Sequence, residues 1–230
     1  MNILLLGRGK TGSLVAEVAR QHGHDVQVLG ATENAGGATL TAEKLRGIEV
    51  VIDFTTPACV VANIEACVTA GKNVVVGTTG WYDELDRICK LVESHGTGFL
   101  FGANFSVGVN LFLDVARAAA AALRHEYSGQ IFERHHVHKK DAPSGTAIAI
   151  QHVMREASGD EKNRDLEITS FREGDVVGMH EVVLESAADR IYLCHDAKSR
   201  QGFADGAVRA AEWLAGKKGF YAFKNVWREL

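Results

Sequence analysis

The first thirty residues, MNILLLGRGKTGSLVAEVARQHGHDVQVLG, restrict the fold more than any other stretch. Residues 3–6 form a short unbroken apolar run, the pattern of a strand buried on both faces. Gly7, Gly9 and Gly12 follow with GxGxxG spacing. Leu14, Val15, Val18 and Ala19 then recur at helical spacing, and Gly23 closes the helix before a second strand at 26–29. A strand, a glycine turn and a helix in this order suit a dinucleotide. The glycines admit a pyrophosphate to the backbone, and its charge is held at the helix N-terminus. The same glycines also fit a tight turn with no ligand. Glu33 stands 21 residues beyond Gly12, where a carboxylate can accept both ribose hydroxyls of an adenosine. Its surroundings, Glu-Asn-Ala-Gly-Gly, equally spell an exposed turn.

The alternation continues through VVIDFTTP (50–57), NVVVGTTGW (73–81) and GFLFGANFSVGVN (98–110), each read as a strand, with a helix opening at Pro57 and another running to His95. Repetition of this kind predicts a parallel sheet with helices on both faces. Ligands bind such sheets beyond the C-terminal strand ends. Those ends carry small polar residues here: Thr55 and Thr56, Thr78 and Thr79, Asn104 and Ser106.

After a helix at about 108–123 the pattern changes. GQIFERHH reads as a strand, a helix follows from about 144 to 156, and strands are expected at 166–172, 179–186 and 189–195. Short polar links between these last three predict antiparallel pairing. FADGAVRAAEWLAGK is expected to be a helix that packs back on the first unit. The fold class is therefore α/β: a Rossmann-type parallel sheet domain, 1–106 plus 203–230, and an α+β domain, 107–202, with a mixed or antiparallel sheet.

ERHHVHKKDAPSGTA (133–147) gathers His135, His136, His138, Lys139 and Lys140 just before a helix start. A solvated charge run, a metal site, a nucleic-acid patch and an anion site are the competing readings. The net charge of −4 argues against a nucleic-acid binder. His136 and His138 on a strand would share a face and offer two metal ligands, but no further ligand set stands at suitable spacing and the lysines repel a cation. An anionic substrate fits best. The free amides after Pro143, at Ser144, Gly145 and Thr146, suit a carboxylate, and Lys139 or a histidine can hold an anion or donate a proton. Cys59, Cys67, Cys89 and Cys194 form no CxxC pair, and read as buried free thiols of a reducing compartment. A strand at the N-terminus leaves no room for a signal peptide, and no apolar stretch is long enough for a membrane span, so a cytoplasmic location is expected.

The stretch 133–147 also resembles the signature of the 4-hydroxy-tetrahydrodipicolinate reductase family, also called dihydrodipicolinate reductases. The match runs through Glu133, His135, His136, Lys139 and residues 141–147. IDFTTP, GTTG, NFSVGVN, GDVVGMH and SRQGFADGAVRAAEWL are similar to further family blocks. The resemblance implies NAD(P)H-dependent reduction of a small cyclic dicarboxylate in the diaminopimelate route to lysine, by a homotetramer joined through the second domain's sheet. It gives Gly7, Arg8, Gly9, Lys10, Thr11, Gly12, Glu33, Gly77, Thr78, Thr79, Ala103, Asn104, Phe105 and Ser106 to the cofactor. It gives His135 and Lys139 to proton transfer, and His136, Gly145 and Thr146 to the substrate carboxylates. Lys10-Thr11 replaces an arginine-methionine pair of the family, Asn34 stands where many members place an arginine against a 2′-phosphate, and the chain is trimmed ahead of FREGDVVG. Glu33 without a following arginine predicts a preference for NADH over NADPH. A nucleotide sensor without activity, or another two-domain dehydrogenase, is the alternative. Retention of both His135 and Lys139 disfavours the first, and the Pro-Ser-Gly-Thr helix start disfavours the second.

Overall fold

A computed structural model describes residues 1–159 and 165–230, and the chain divides into two compact units, Met1–Val107 with Gln201–Leu230, and Gly108–Arg200. The first run of elements is β1 (Asn2–Leu6), α1 (Lys10–Gln21), β2 (Asp25–Leu29), β3 (Val50–Asp53), α2 (Pro57–Thr69), β4 (Asn73–Val76), α3 (Leu85–His95) and β5 (Gly98–Phe101). There follow α4 (Val107–Ala119), β6 (Ser128–His135), α5 (Gly145–Ser158), β7 (Glu167–Arg172), β8 (Met179–Glu185) and β9 (Arg190–Asp196). The chain then returns to the first unit with α6 (Gln201–Leu214), β10 (Gly219–Ala222) and α7 (Phe223–Val226). No helix among the described residues is long and apolar enough to cross a membrane.

The first unit is a six-stranded parallel sheet in the order β10-β5-β4-β3-β1-β2. Both faces are buried, which is why its strands are continuous apolar runs. Successive residues point to opposite sides, so Ile3, Leu5, Val50 and Ile52 pack with α1 and α6, while Leu4, Leu6, Val51 and Val76 pack with α2 and α3. The expected final helix is α6, whose Ala204, Ala207, Val208, Ala210, Ala211 and Leu214 are fully buried in this core. Strand β10 has no counterpart in the sequence reading. Four residues after two lysines are too few to establish a period, yet Phe220 stacks on Phe99 at 4.9 Å and completes the sheet edge. The strand expected to end in residues 103–106 stops at Phe101, and Phe105 turns into the core against Phe223.

The second unit holds a four-stranded mixed sheet in the order β7-β6-β8-β9. Here the antiparallel expectation for the strands at 166–172 and 179–186 is corrected. Strand β7 lies parallel to β6 on one side, and β8 lies antiparallel to β6 on the other. Helix α5 intervenes between β6 and β7, so those two strands form a crossover unit and must run parallel. Residues 173–178 then carry the chain past the end of β6. Helices α4 and α5 cover one sheet face through Phe112, Ala116, Ile150 and Met154. The cysteine expectation also changes: all four are free, but only Cys67 is buried and Cys194 is exposed.

The glycine turn after β1 tests how tightly this architecture is packed. Gly7 has φ +106°, and a Cβ there would sit 2.2 Å from the Phe54 carbonyl oxygen. A Cβ on Gly12 would sit 2.4 Å from the Gly7 carbonyl oxygen, whereas one on Gly9 meets nothing within 4 Å. Gly12→Ala is therefore expected to cost about 1–3 kcal/mol in urea unfolding, because backbone must move. Gly9→Ala should cost less than about 1 kcal/mol. Equal losses for the two would show that the turn does not set the approach of α1 to the sheet.

Candidate active site

Strand β1 has β2 on one side and β3 on the other, so the connections leaving β1 and β3 diverge and open a crevice at their C-terminal ends. A cleft of about 320 Å³ occupies that position, lined by Gly9, Lys10, Thr11, Gly12, Phe54, Thr55, Gly77, Thr78 and Thr79. Gly9 is the N-cap of α1 and the first-turn amides receive no side-chain cap. A bare helix N-terminus beneath a residue without Cβ is the cradle a pyrophosphate requires, and the residues present fit a dinucleotide.

The strand-end polar residues do not all face this cleft. Asp53, at the end of β3, is completely buried. Its Oδ1 accepts hydrogen bonds from the Thr55 amide (2.9 Å), the Thr55 hydroxyl (2.7 Å) and the Thr78 hydroxyl (2.7 Å). Its Oδ2 accepts from Asn63 Nδ2 at 2.8 Å. Burial raises the Asp53 pKa, and these donors offset only part of that shift. The Thr78 hydroxyl is thus spent on the fold, leaving its backbone to the cleft. Asn34, expected opposite a 2′-phosphate, is buried with its Nδ2 on Asn63 Oδ1 at 2.9 Å, and continues the same network.

Glu33 accepts the Gly30 amide at 2.7 Å and is ion-paired to Arg8 Nη2 at 3.0 Å. The pair is exposed and worth little, so a ribose can displace it. Of the last cofactor group, Ala103 is exposed, Asn104 Oδ1 accepts the Ser106 amide at 2.9 Å, and Ser106 is buried. Phe105 is a core residue, so its side chain does not belong to a cofactor site. None of these four lines the cleft at α1.

In the second unit, β6 points Ile131, Glu133 and His135 to the helix-covered face, a line that passes from apolar core to carboxylate to imidazole. Glu133 is fully buried. Its Oε2 is hydrogen-bonded to His135 Nδ1, and its Oε1 accepts Arg172 Nη2 at 2.9 Å. Burial alone would raise the Glu133 pKa, but hydrogen bonds from Arg172, Ser170 and His135 bring it below the ordinary value. His135 is shifted down by burial, which outweighs the pull of Glu133. His180, facing Glu133 across the β6–β8 register, lies 5.1 Å from the His135 ring and is pushed down to about 4 by burial, with further repulsion from His135.

The crossover segment after β7 closes over His135. The Glu173 amide donates to the His135 carbonyl (2.8 Å), the Val137 amide donates to the Gly174 carbonyl (3.1 Å), and a Cβ on Gly178 would lie 3.0 Å from His135 Nε2. His136 and His138 lie beyond the end of β6, so they do not share a strand face. His136 Nε2 accepts from Arg200 Nη2 at 3.2 Å, and its Nδ1 is buried without a hydrogen-bond partner among the described residues. Lys139 contacts both Asp141 oxygens at 2.8 Å.

Ser144 caps α5: its Oγ accepts the Ala147 amide (3.2 Å) and stands 3.0 Å from His180 Nε2. Gly145 is exposed with open space where a Cβ would be, and Thr146 follows on the first turn. The sequence reading missed Arg172, His180 and Arg200. Each lies far along the chain from 133–147, and only the sheet pairing and the crossover bring them in. Glu133, His135 and His180 do place ligand atoms within 4.8 Å of one another. The Arg172 guanidinium already fills the position a cation would take beside Glu133. The trim ahead of FREGDVVG falls partly on 160–164, outside the described residues.

Known proteins resemble this chain along its whole length. Residues 1–105 match the family model for "Dihydrodipicolinate reductase, N-terminus" and residues 108–227 that for "Dihydrodipicolinate reductase, C-terminus". A 4-hydroxy-tetrahydrodipicolinate reductase of Christiangramia forsetii is 37% identical, covering 100% of this chain and 99% of that protein. The Neisseria meningitidis serogroup A enzyme of the same name is 33% identical, covering 95% of this chain and 93% of that one. A dipicolinate-bound dihydrodipicolinate reductase from Paenisporosarcina sp. TG-14 shares the fold, with a TM-score of 0.78 at 24% identity over 98% of this chain and 99% of that one. With both halves matched and a relative 37% identical from end to end, the chain belongs to the dihydrodipicolinate reductase family.

Proposed function

We propose that the chain reduces 4-hydroxy-tetrahydrodipicolinate to tetrahydrodipicolinate with NAD(P)H, taking up one proton and releasing water and NAD(P)⁺. The observation that carries this reading is the convergence in the second unit of the Glu133–His135 pair, the Lys139–Asp141 ion pair and the N-terminus of α5, where Ser144 caps the Ala147 amide and Gly145 is exposed. When bound, the nicotinamide supplies the hydride. The amides of Gly145 and Thr146 hold one substrate carboxylate, and His136, through its unpartnered Nδ1, serves the substrate as well. Dipicolinate in the Paenisporosarcina relative is a planar ligand with the same two acid groups.

Lys139 delivers the proton. Glu133 fixes His135 as the Nδ1–H tautomer, and burial keeps that imidazole neutral, so its Nε2 is an acceptor that orients the donor or the substrate. Lys139→Ala and His135→Ala should each lower kcat by roughly 10²-fold. Because the His135 pKa lies below 6.5, kcat/KM should fall as pH drops through it and Nε2 becomes protonated. A kcat/KM that instead rises on acidification moves the donor role to His135, and unaltered turnover in both variants removes both residues from the chemistry.

NADH is the preferred cofactor, since Glu33 accepts ribose hydroxyls and repels a 2′-phosphate. Arg8 tempers the preference, because it is the cation beside Glu33. Asn34 is unsuited to a charge swap, being buried on Asn63. Glu33→Ala should cost NADH roughly tenfold or more in kcat/KM, the loss of a charged hydrogen bond, and spare NADPH. A wild-type enzyme that strongly favours NADPH would show Arg8 to be dominant.

The chain assembles as a homotetramer through the second unit's sheet. Strand alternation puts Phe132, Phe171, Val183 and Tyr192 on the face opposite α4 and α5, and Tyr192 is 58% exposed. Light scattering should give four chains for the wild type and fewer for Tyr192→Asp. A wild-type monomer at micromolar concentration would refute the assembly.

A further inference from the structure

A second group of titratable side chains lies on the nucleotide unit, away from the dinucleotide cleft. Helix α1 ends at Gln21, Gly23 turns the chain at φ +81°, and His22 and His24 flank that turn before β2 begins. Their ring centroids are 6.3 Å apart. Across from them, on α6, Glu212 Oε1 lies 3.0 Å from His22 Nδ1 and 2.8 Å from His24 Nε2. One ligand atom from each of the three side chains falls within 4.8 Å of the others. Ligands about 2.0 Å from a tetrahedral zinc stand roughly 3.3 Å apart, so modest side-chain rotation suffices to place an ion among them.

We infer that His22, His24 and Glu212 form a binding site for a divalent transition-metal ion, with Zn²⁺ the best-suited species. Two imidazoles with one carboxylate favour zinc over magnesium or calcium, which prefer all-oxygen shells. The surroundings are organised as such sites are. Asp205 precedes Glu212 by two turns of α6, and its Oδ1 lies 3.3 Å from His22 Nε2, the ring nitrogen that does not face Glu212. A carboxylate on the remote nitrogen fixes the tautomer that presents Nδ1 to the metal. Arg209 occupies the other Asp205 oxygen at 2.7 Å, which holds the carboxylate in place. His24 is nearly covered while His22 and Glu212 are about one-third exposed, so water can complete the coordination. A bound ion would tie the end of α1 to α6 and stabilise the nucleotide unit through linkage.

Chelator-treated full-length protein titrated with ZnCl₂ by calorimetry tests the site, with Co²⁺ absorption as a coordination readout and thermal unfolding as a third. The wild type should bind one Zn²⁺ per chain at this site, raise its Tm with zinc and give the visible bands of tetrahedral Co²⁺. Glu212→Gln keeps a hydrogen-bond acceptor for the histidines, yet should abolish the Tm shift and the cobalt bands. Asp205→Asn should weaken zinc roughly tenfold or more. Zinc at the histidines of the second unit is separated by His136→Ala/His138→Ala, which should leave the Tm shift intact. Equal zinc affinity in wild type, Glu212→Gln and His22→Ala would overturn the assignment, as would a wild type that binds no zinc at micromolar concentration.

Discussion

Among the described residues each unit buries one carboxylate completely, and the way each is satisfied decides what its surroundings can do. Asp53 and Glu133 both sit at or near the end of a strand, at the border between apolar core and ligand-facing loops. A buried carboxylate without partners is too costly to survive. Asp53 is met by neutral donors from Thr55, Thr78 and Asn63 and its pKa remains raised. It stitches the ends of β3 and β4 to α2, and so holds the floor of the cleft rigid. Glu133 is met by a guanidinium and an imidazole and its pKa is lowered. It therefore retains its charge and sets the tautomer of the residue next in line.

That contrast explains how much of the molecule could be read from residues alone. The α/β class, the glycine turn and the return of α6 follow from local periodicity, since a doubly covered strand must be continuously apolar and a covering helix must repeat at 3.6 residues. The cleft residues 9–12 and 77–79 were visible for the same reason: they are loops at predictable strand ends. The inward turn of Asn34 and Phe105 was not visible, because a polar or aromatic residue in a loop carries no periodic signal that distinguishes core from cleft. Nor was the placing of β7. A six-residue link looks like a hairpin, and only the competition for the two sides of β6 reveals a crossover.

The misread link is also what assembles the second site. By crossing the end of β6 rather than turning back beside it, residues 173–178 bring Gly178 against the His135 ring and tie the backbone on both sides of it. Arg172 arrives at the same place because β7 runs parallel to β6, in register with His135. The stretch 133–147 thus supplies Glu133, His135 and Lys139, while β7 and β8, beyond the intervening α5, supply Arg172 and His180 beside them. A pattern confined to 133–147 records the first and is silent on the second.

The return of α6 and β10 to the first unit has a bearing on how the protein is made. The ribosome delivers residues 1–107, then the whole inserted unit, and only afterwards the helix and strand that finish the parallel sheet. Until then one face of β1, β3 and β4 lacks its Ala204–Leu214 cover, and the β5 edge stands open. Such a nascent sheet has exposed apolar surface and an unpaired edge, the features that recruit chaperones and promote aggregation. The intervening α+β unit, whose own core is made entirely of residues between 108 and 200, can condense during that interval. Synthesis therefore favours the reverse of the sequence order: the later-encoded unit is complete first, and the nucleotide cleft matures last.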